Sequence, residues 1–243
     1  MDRLPDSLLV VVPCYNAGQR LRPVMEKALA ISPRVLVVDD GSTDGAPSAL
    51  ADLAVRVETL TPNRGKGVAL MRGFKIALED PAVKCIVTLD ADGQHDPAEL
   101  PGLYDTFSKE SSDLVIGSRE FGGPGVPWRS RFGNRITIGV TSWLLGRRLP
   151  DTQSGYRLHS RRLAEHLVTR LKGGRYETEM EVLVHAVKGG FKIVPSPIRT
   201  IYERGNPSSH FHKFRDSWQI YRALFRASNI TGTEHAKEAR QTR

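Results

Sequence analysis

At 243 residues, with 40% hydrophobic and 26% charged residues, the chain reads as an ordinary globular protein, one large domain or two small ones, long enough to bury about three-quarters of its unfolded surface. The N-terminus MDRLPDSLLVVVPCYN has an early acidic residue and only a short apolar run, and ITIGVTSWLLG (136–146) is too short to span a bilayer, so neither a signal peptide nor a transmembrane helix is expected. The net charge of +8 is unevenly spread: residues 1–125 hold 13 Lys and Arg against 18 Asp and Glu, residues 126–175 hold 11 against 2, and residues 176–243 hold 11 against 7, so the central +9 block calls for an anionic partner or a solvated face.

In chain order, apolar runs predict buried parallel strands at LLVVV (8–12), RVLVVD (34–39), VRVETL (55–60), CIVTLD (85–90) and DLVIGS (113–118). Helical segments are expected at residues 20–30, 43–54, 66–79 and 97–109, with starts marked by Thr43 with Asp44 and by Pro97 after Asp96. This alternation predicts an α/β fold, a doubly wound and mostly parallel sheet with helices on both faces. A sheet of that kind binds its ligand at the carboxyl ends of the strands. Those ends carry PCYN (13–16), DDGSTD (39–44), NRGKG (63–67), DADGQ (90–94) and GSR (117–119), so the unusual polar chemistry of the first half converges on one edge. Cys14 and Cys85, both at ends of apolar runs, are expected to be buried reduced thiols, which favours a reducing compartment.

Each motif has a physical reading. Asp39 and Asp40 end a strand beside a tight turn, which suits carboxylates accepting from a base N–H or a ribose hydroxyl; the plainer alternative is an Asx-type turn with a cap at Thr43. NRGKG supplies glycines for close backbone approach to a ligand, with Arg64 and Lys66 for phosphate, but lacks the Walker spacing. Asp90 and Asp92 fall on one side of an extended chain, where hard oxygens could face Mg2+ or Mn2+ together with a diphosphate. The glycine position excludes an EF-hand, and His95, with no partner at helical or hairpin spacing, is expected to cap or lie on the surface instead of ligating zinc.

VVVPCYNAG, VVDDGSTDG, NRGKG and TLDADGQHDP, in this order, resemble the family 2 inverting glycosyltransferases of the GT-A fold. GSR at 117, SRFGN (130–134), DTQSGYR (151–157), YETEM (176–180) and SSHF near 208 are similar to polyprenyl-phosphate sugar synthases of the dolichyl-phosphate mannose synthase type, and the resemblance covers residues 8–226. It implies a nucleotide site at Pro13, Tyr15, Asn16, Asp39, Asp40, Arg64, Lys66 and Asp90, and a Mg2+ or Mn2+ site at Asp90, Asp92 and Gln94. It implies catalytic or phosphate-binding roles for Asp92, Asp151, Arg119 and Arg131, and sugar or acceptor contacts at Ser154, Gly155, Arg157, Glu179 and Ser209. The family usually has Glu after Tyr-Asn; here Ala17 and Gly18 follow Asn16, so that nucleoside contact does not carry over and the donor stays open.

The organisation expected is one domain over residues 1–228, with a nucleotide-sugar half (1–125) and an acceptor and membrane-facing half (126–228), then a mobile tail from 229 to 243. Apolar residues recur at helical spacing from Trp128 to Trp143 and across 211–227, each stripe flanked by Arg and Lys, which fits either core helices with a basic face or helices lying on an anionic membrane surface. The expected activity is metal-dependent transfer of a sugar from a nucleotide diphosphate sugar to a polyprenyl phosphate, by a cytoplasmic protein held peripherally at the inner face of the membrane. A hydroxyl acceptor is the alternative and would need a base, with Asp151 and Glu179 available. A nucleic-acid-binding role explains the basic block but leaves Asp90, Asp92 and the acidic first half without a purpose, so no nucleic-acid partner is expected.

Overall fold

The computed structural model describes residues 3–119, 151, 154–175 and 177–199. Within them lie the strands β1 (Leu8–Cys14), β2 (Val35–Asp39), β3 (Arg56–Thr59), β4 (Cys85–Thr88), β5 (Leu114–Arg119), β6 (Arg157–Ser160) and β7 (Ile193–Ile198). The helices are α1 (Leu21–Ile31), α2 (Lys66–Glu79), α3 (Leu100–Glu110), α4 (Arg161–Arg170) and α5 (Glu177–Lys188). The strands make one sheet in the order β3-β2-β1-β4-β6-β5-β7. All its pairings are parallel except those of β6, which runs antiparallel to both β4 and β5.

The alternation of side chains along a strand divides the core into two layers. Leu9, Val11, Leu36, Val38, Ile86, Leu114 and Ile116 face α2, α4 and α5. Val10, Val12, Val37, Val87, Val115 and Leu158 point the other way, toward α1 and α3. Central strands buried on both faces explain the unbroken Val and Leu runs, each such side chain contributing about 1.5–3 kcal/mol through burial. Gly73 on α2 packs against Val11 and leaves no room for a Cβ, so that helix lies close on the sheet.

Three local expectations are corrected. VRVETL forms β3 but at the sheet edge, where Arg56, Val57 and Thr59 are exposed, so it is parallel without being buried. Residues 43–54 hold only a short 3-10 turn, Ala46–Leu50, because Gly45 takes a left-handed φ of 73° and Pro47 follows at the turn's start; Gly45 is the N-cap, and Asp44 before it accepts from Ala46 N at 3.0 Å. Asp92 sits in a turn beyond β4 and not on an extended strand.

Cys14 and Cys85 are buried free thiols, as expected, and burial pushes them up to about 11 and about 12. Among the described residues, no helix is long and apolar enough to cross a membrane. The two basic stripes, Arg131, Ser209 and the expected tail lie outside the described residues.

Candidate active site

The reversed strand β6 explains how the second half of the chain reaches the functional edge. Because β6 is antiparallel, its first residue, Arg157, stands beside Thr88 at the carboxyl end of β4. The segment entering β6, Ser154–Gly155–Tyr156, therefore arrives where Asp90 leaves the sheet, and Thr88 Oγ1 anchors it by donating to Gly155 O at 2.8 Å.

Further along the edge, two loops zip together. Asn16 takes a left-handed φ of 49°, a region Asn tolerates, and its N–H donates to Ser42 Oγ at 2.9 Å while its Oδ1 accepts from Thr43 N at 2.8 Å. Gly18 N donates to Asp44 Oδ2 at 2.7 Å. Asp39 Oδ1 accepts from Ser42 N at 3.0 Å, the Asx-type turn weighed from the sequence. Asp40 is buried and uses both oxygens, accepting from Arg64 N at 2.9 Å and Gly65 N at 2.6 Å, so it holds the NRGKG loop in place. Pro13 is buried within β1, Tyr15 is 40% exposed beside it, and Arg64 projects as an exposed residue.

At the centre, the Lys66 ammonium lies 2.6 Å from Asp90 Oδ1 and 2.7 Å from Glu179 Oε1. Gly155 lies close against them: a Cβ there would stand 2.6 Å from Asp90 Oδ2 and 2.9 Å from Glu179 Oε1, displacing both carboxylates. Beneath them Arg157 is fully buried, its Nε donating to Ser154 O at 2.8 Å and its Nη1 to Glu179 O at 2.6 Å. The guanidinium thus grips main chain under the site, where it supports Glu179 and Ser154. Asp151 is 1% exposed and near enough to Arg157 to favour its charge. Asp92 Oδ1 accepts from Gln94 N at 2.9 Å, which curls the DADGQ loop. His95 is buried, its Nδ1 3.7 Å from Asp90 Oδ2 and its ring 5.3 Å from that of Tyr156, which corrects the surface role expected for it. Arg119 is the last residue of β5.

The two aspartates diverge electrically. Burial works to raise Asp90, but the charges of Lys66 and His95 and the Lys66 hydrogen bond outweigh it and hold the carboxyl below its usual range. Asp92 is raised by burial first and by the neighbouring Asp90 charge second. Burial works against the Lys66 charge, yet Asp90 and Glu179 outweigh it and raise the ammonium above its usual value. For Arg157 burial wins, and the group is lowered despite Glu179, Asp151 and Asp90.

Residues 9–168 match the family model described as glycosyl transferase family 2. The chain belongs to that family. The chain is 33% identical over 208 residues to polyprenol monophosphomannose synthase of Mycolicibacterium smegmatis, covering 81% of this chain and 77% of the relative. It is 30% identical over 226 residues to a UDP-N-acetylglucosamine–dolichyl-phosphate N-acetylglucosaminyltransferase of Methanococcus voltae, covering 82% and 88%. Its GT-A fold is shared with glucosyl-3-phosphoglycerate synthase of Mycobacterium tuberculosis, solved with Mn2+, uridine diphosphate and glucosyl-3-phosphoglycerate, at a TM-score of 0.72, 21% identity, and 93% and 81% coverage.

Of the residues singled out from the sequence, the structure brings Lys66, Asp90, Gly155, Arg157 and Glu179 together at this edge, with two shifts of emphasis. The glycines of NRGKG admit the chain's own loop: Gly65, at φ 105°, would place a Cβ 2.6 Å from Gly174 O. Lys66 meets carboxylates on two different elements. Gly173 and Gly174, which complete this junction, were not singled out, and Thr178 was covered only as part of YETEM without a role of its own; the paired glycines of KGGRYETEM are the local signal of a close approach. Among the described residues no three His, Cys, Asp or Glu side chains group as a metal centre. Asp90 and Asp92 nevertheless fit a hard divalent ion, since Mg2+ is commonly held by one or two carboxylates with substrate phosphates completing its shell.

Proposed function

We propose that this glycosyltransferase moves a sugar from a nucleotide diphosphate sugar to a polyprenyl phosphate in one inverting displacement. The observation that carries the reading is the junction at Lys66, where Asp90 from the strand-end edge and Glu179 from α5 share one ammonium at 2.6 and 2.7 Å. The names of the two relatives support the acceptor class, and they differ in sugar, so the donor is assigned only as a GDP- or UDP-sugar. Asp92 and Asp90 would hold Mg2+ or Mn2+, which when bound supplies positive charge to the departing diphosphate. Asp40 keeps the 64–65 loop shaped for the nucleotide, Lys66 fixes the Asp90 carboxylate, and Arg157 holds Glu179 from below.

A hydroxyl acceptor needs a base, whereas a phosphate monoester arrives anionic and needs only to be placed. Glu179 Oε1 is already taken by Lys66 and Asp151 is 1% exposed, an arrangement that suits an acceptor bringing its own charge. The +9 block over residues 126–175, with Arg131 within it, is suited to an anionic acceptor. The test is release of GDP or UDP from a panel of donor sugars, with a short polyprenyl phosphate against the free alcohol. Release that depends on the phosphate is expected; equal rates with the alcohol would move the reading to a hydroxyl acceptor.

The same acceptor implies peripheral attachment to an anionic membrane surface, each exposed Arg near it adding on the order of 1 kcal/mol. Cosedimentation with anionic liposomes should be strong at low salt and weaken as salt rises. Indifference to such liposomes at low salt would rule this attachment out.

A further inference from the structure

Two consecutive residues at the start of α2 meet two consecutive residues at the start of α5. Lys66 pairs with Glu179, and next to them Gly67 lies under Thr178 so closely that a Cβ on Gly67 would fall on the Thr178 hydroxyl. The loop before α5 closes the junction. Gly67 N donates to Gly174 O at 2.9 Å, and Val68 N, bonded to Gly65 O at 2.9 Å, also reaches that Gly174 oxygen at 3.3 Å, so a first-turn donor of α2 that a helix start normally offers to a cap or a ligand is taken by the protein itself. Gly174 N in turn donates to Thr178 Oγ1 at 2.9 Å, and Thr178 is fully buried.

We propose that Thr178 is a positioning residue for sugar transfer: its hydroxyl, by accepting from Gly174 N–H, locks α5 onto the first turn of α2 in the one register that sets Glu179 against Lys66 and, through Lys66, orients Asp90. This rests on the transferase reading above. The lock has no slack. Gly173, at φ 78°, would bring a Cβ 2.5 Å from Gly67 O, and Gly65 is equally tight against Gly174, so backbone meets backbone at both ends of the contact. Without the hydroxyl, the Gly174 N–H loses its acceptor, the loop drifts from Gly67, and Lys66 is left with one carboxylate where it had two. A displacement of about 1 Å at such a site can cost up to about a hundredfold in rate.

The test is the series Thr178→Ser, Thr178→Val and Thr178→Ala, read by steady-state kinetics, nucleotide titration calorimetry and amide hydrogen exchange. If the lock acts through the hydroxyl, kcat follows chemistry: Ser stays near wild type, while Val and Ala fall roughly tenfold or more with the nucleotide Kd within about twofold. The Gly67 amide should lose protection in Val and Ala only. If kcat instead follows size, with Val near wild type and Ser and Ala reduced, or if Val merely melts earlier with unchanged turnover, Thr178 is a packing residue and the proposal is overturned. Should Val fail to fold, the Ser and Ala comparison still decides. Inactivity of the wild type with every donor would refute the transferase reading instead, and the amide exchange would still report whether the hydroxyl holds α5 to α2.

Discussion

Asp92→Asn should lower kcat by about a hundredfold or more while melting at or above the wild-type temperature. Loss of a principal charge partner for the developing negative charge on the leaving group gives the first effect. The second follows from the direction in which Asp92 is shifted. Burial, with Asp90 adding to it, raises its carboxyl above the ordinary 3.8. A group raised in the folded state costs stability wherever it is charged in both states, here at neutral pH, and that cost is relieved as pH falls through the raised value. Asn removes the charge at constant shape and keeps an oxygen for Gln94 N. Turnover at saturating donor with Mg2+, and calorimetric melting at pH 7, measure the two effects. EDTA should reproduce the kinetic loss in the wild type; full activity in chelator with no metal present would remove the divalent ion from the mechanism, and a variant melting several degrees lower would make Asp92 a structural carboxylate.

Lys66→Met should fail in both respects. The Lys66 side chain, 23% exposed, is the shared partner of Asp90 and Glu179, and without its ammonium two carboxylates converge with no cation between them. Removing one member of a fully buried ion pair costs about 3–5 kcal/mol, and partial exposure reduces this to about 2 kcal/mol. At roughly 2–4 °C per kcal/mol for a chain of this size, the melting temperature should drop by about 4–8 °C. Activity should fall at least tenfold, since Asp90 loses its orientation. The pH dependence separates this from a packing defect. Lys66 is raised above its ordinary 10.5, so it stabilises the fold fully below that value, and the contribution is lost as pH climbs beyond it. Asp90 is lowered, so its contribution holds above 3.8 and is lost as pH falls further. Wild type minus variant stability, measured by urea unfolding, should therefore plateau between those limits and shrink outside them. A flat difference at every pH would mean that Met fails through packing alone.

Much of the first half was legible without tertiary information because its signals are local. Val10, Val11 and Val12, or Val37 and Val38, read as buried strands since β-branched runs suit a sheet covered on both faces. Once strands and helices alternate, the carboxyl ends must lie on one edge, so PCYN, DDGSTD, NRGKG and DADGQ were placed together before any contact was seen. The edge exposure of β3 and the short turn after Asp44 were not legible. The same apolar run can end a sheet or sit inside it, and a helix-length gap can hold a loop when Gly45 and Pro47 interrupt it.

The junction that makes a site belongs to the tertiary structure. Arg157 was expected from the resemblance to touch sugar or acceptor, yet the reversed β6 buries it between the β4 edge and α5 and turns its guanidinium onto the main chain of Ser154 and Glu179. Lys66 and Glu179 are 113 residues apart, and no local period relates them. Gly67 reads in sequence as a glycine that lets a ligand approach, whereas in the fold Thr178 occupies the space its side chain would need. Local propensity and hydrophobic period act over a few residues and determined which segments become strands and which loops carry polar chemistry. Which charges meet was decided by the closing of the sheet around β6, because only there are Asp90 and Glu179 buried against the one Lys66 ammonium and Thr178 set into the space beside Gly67.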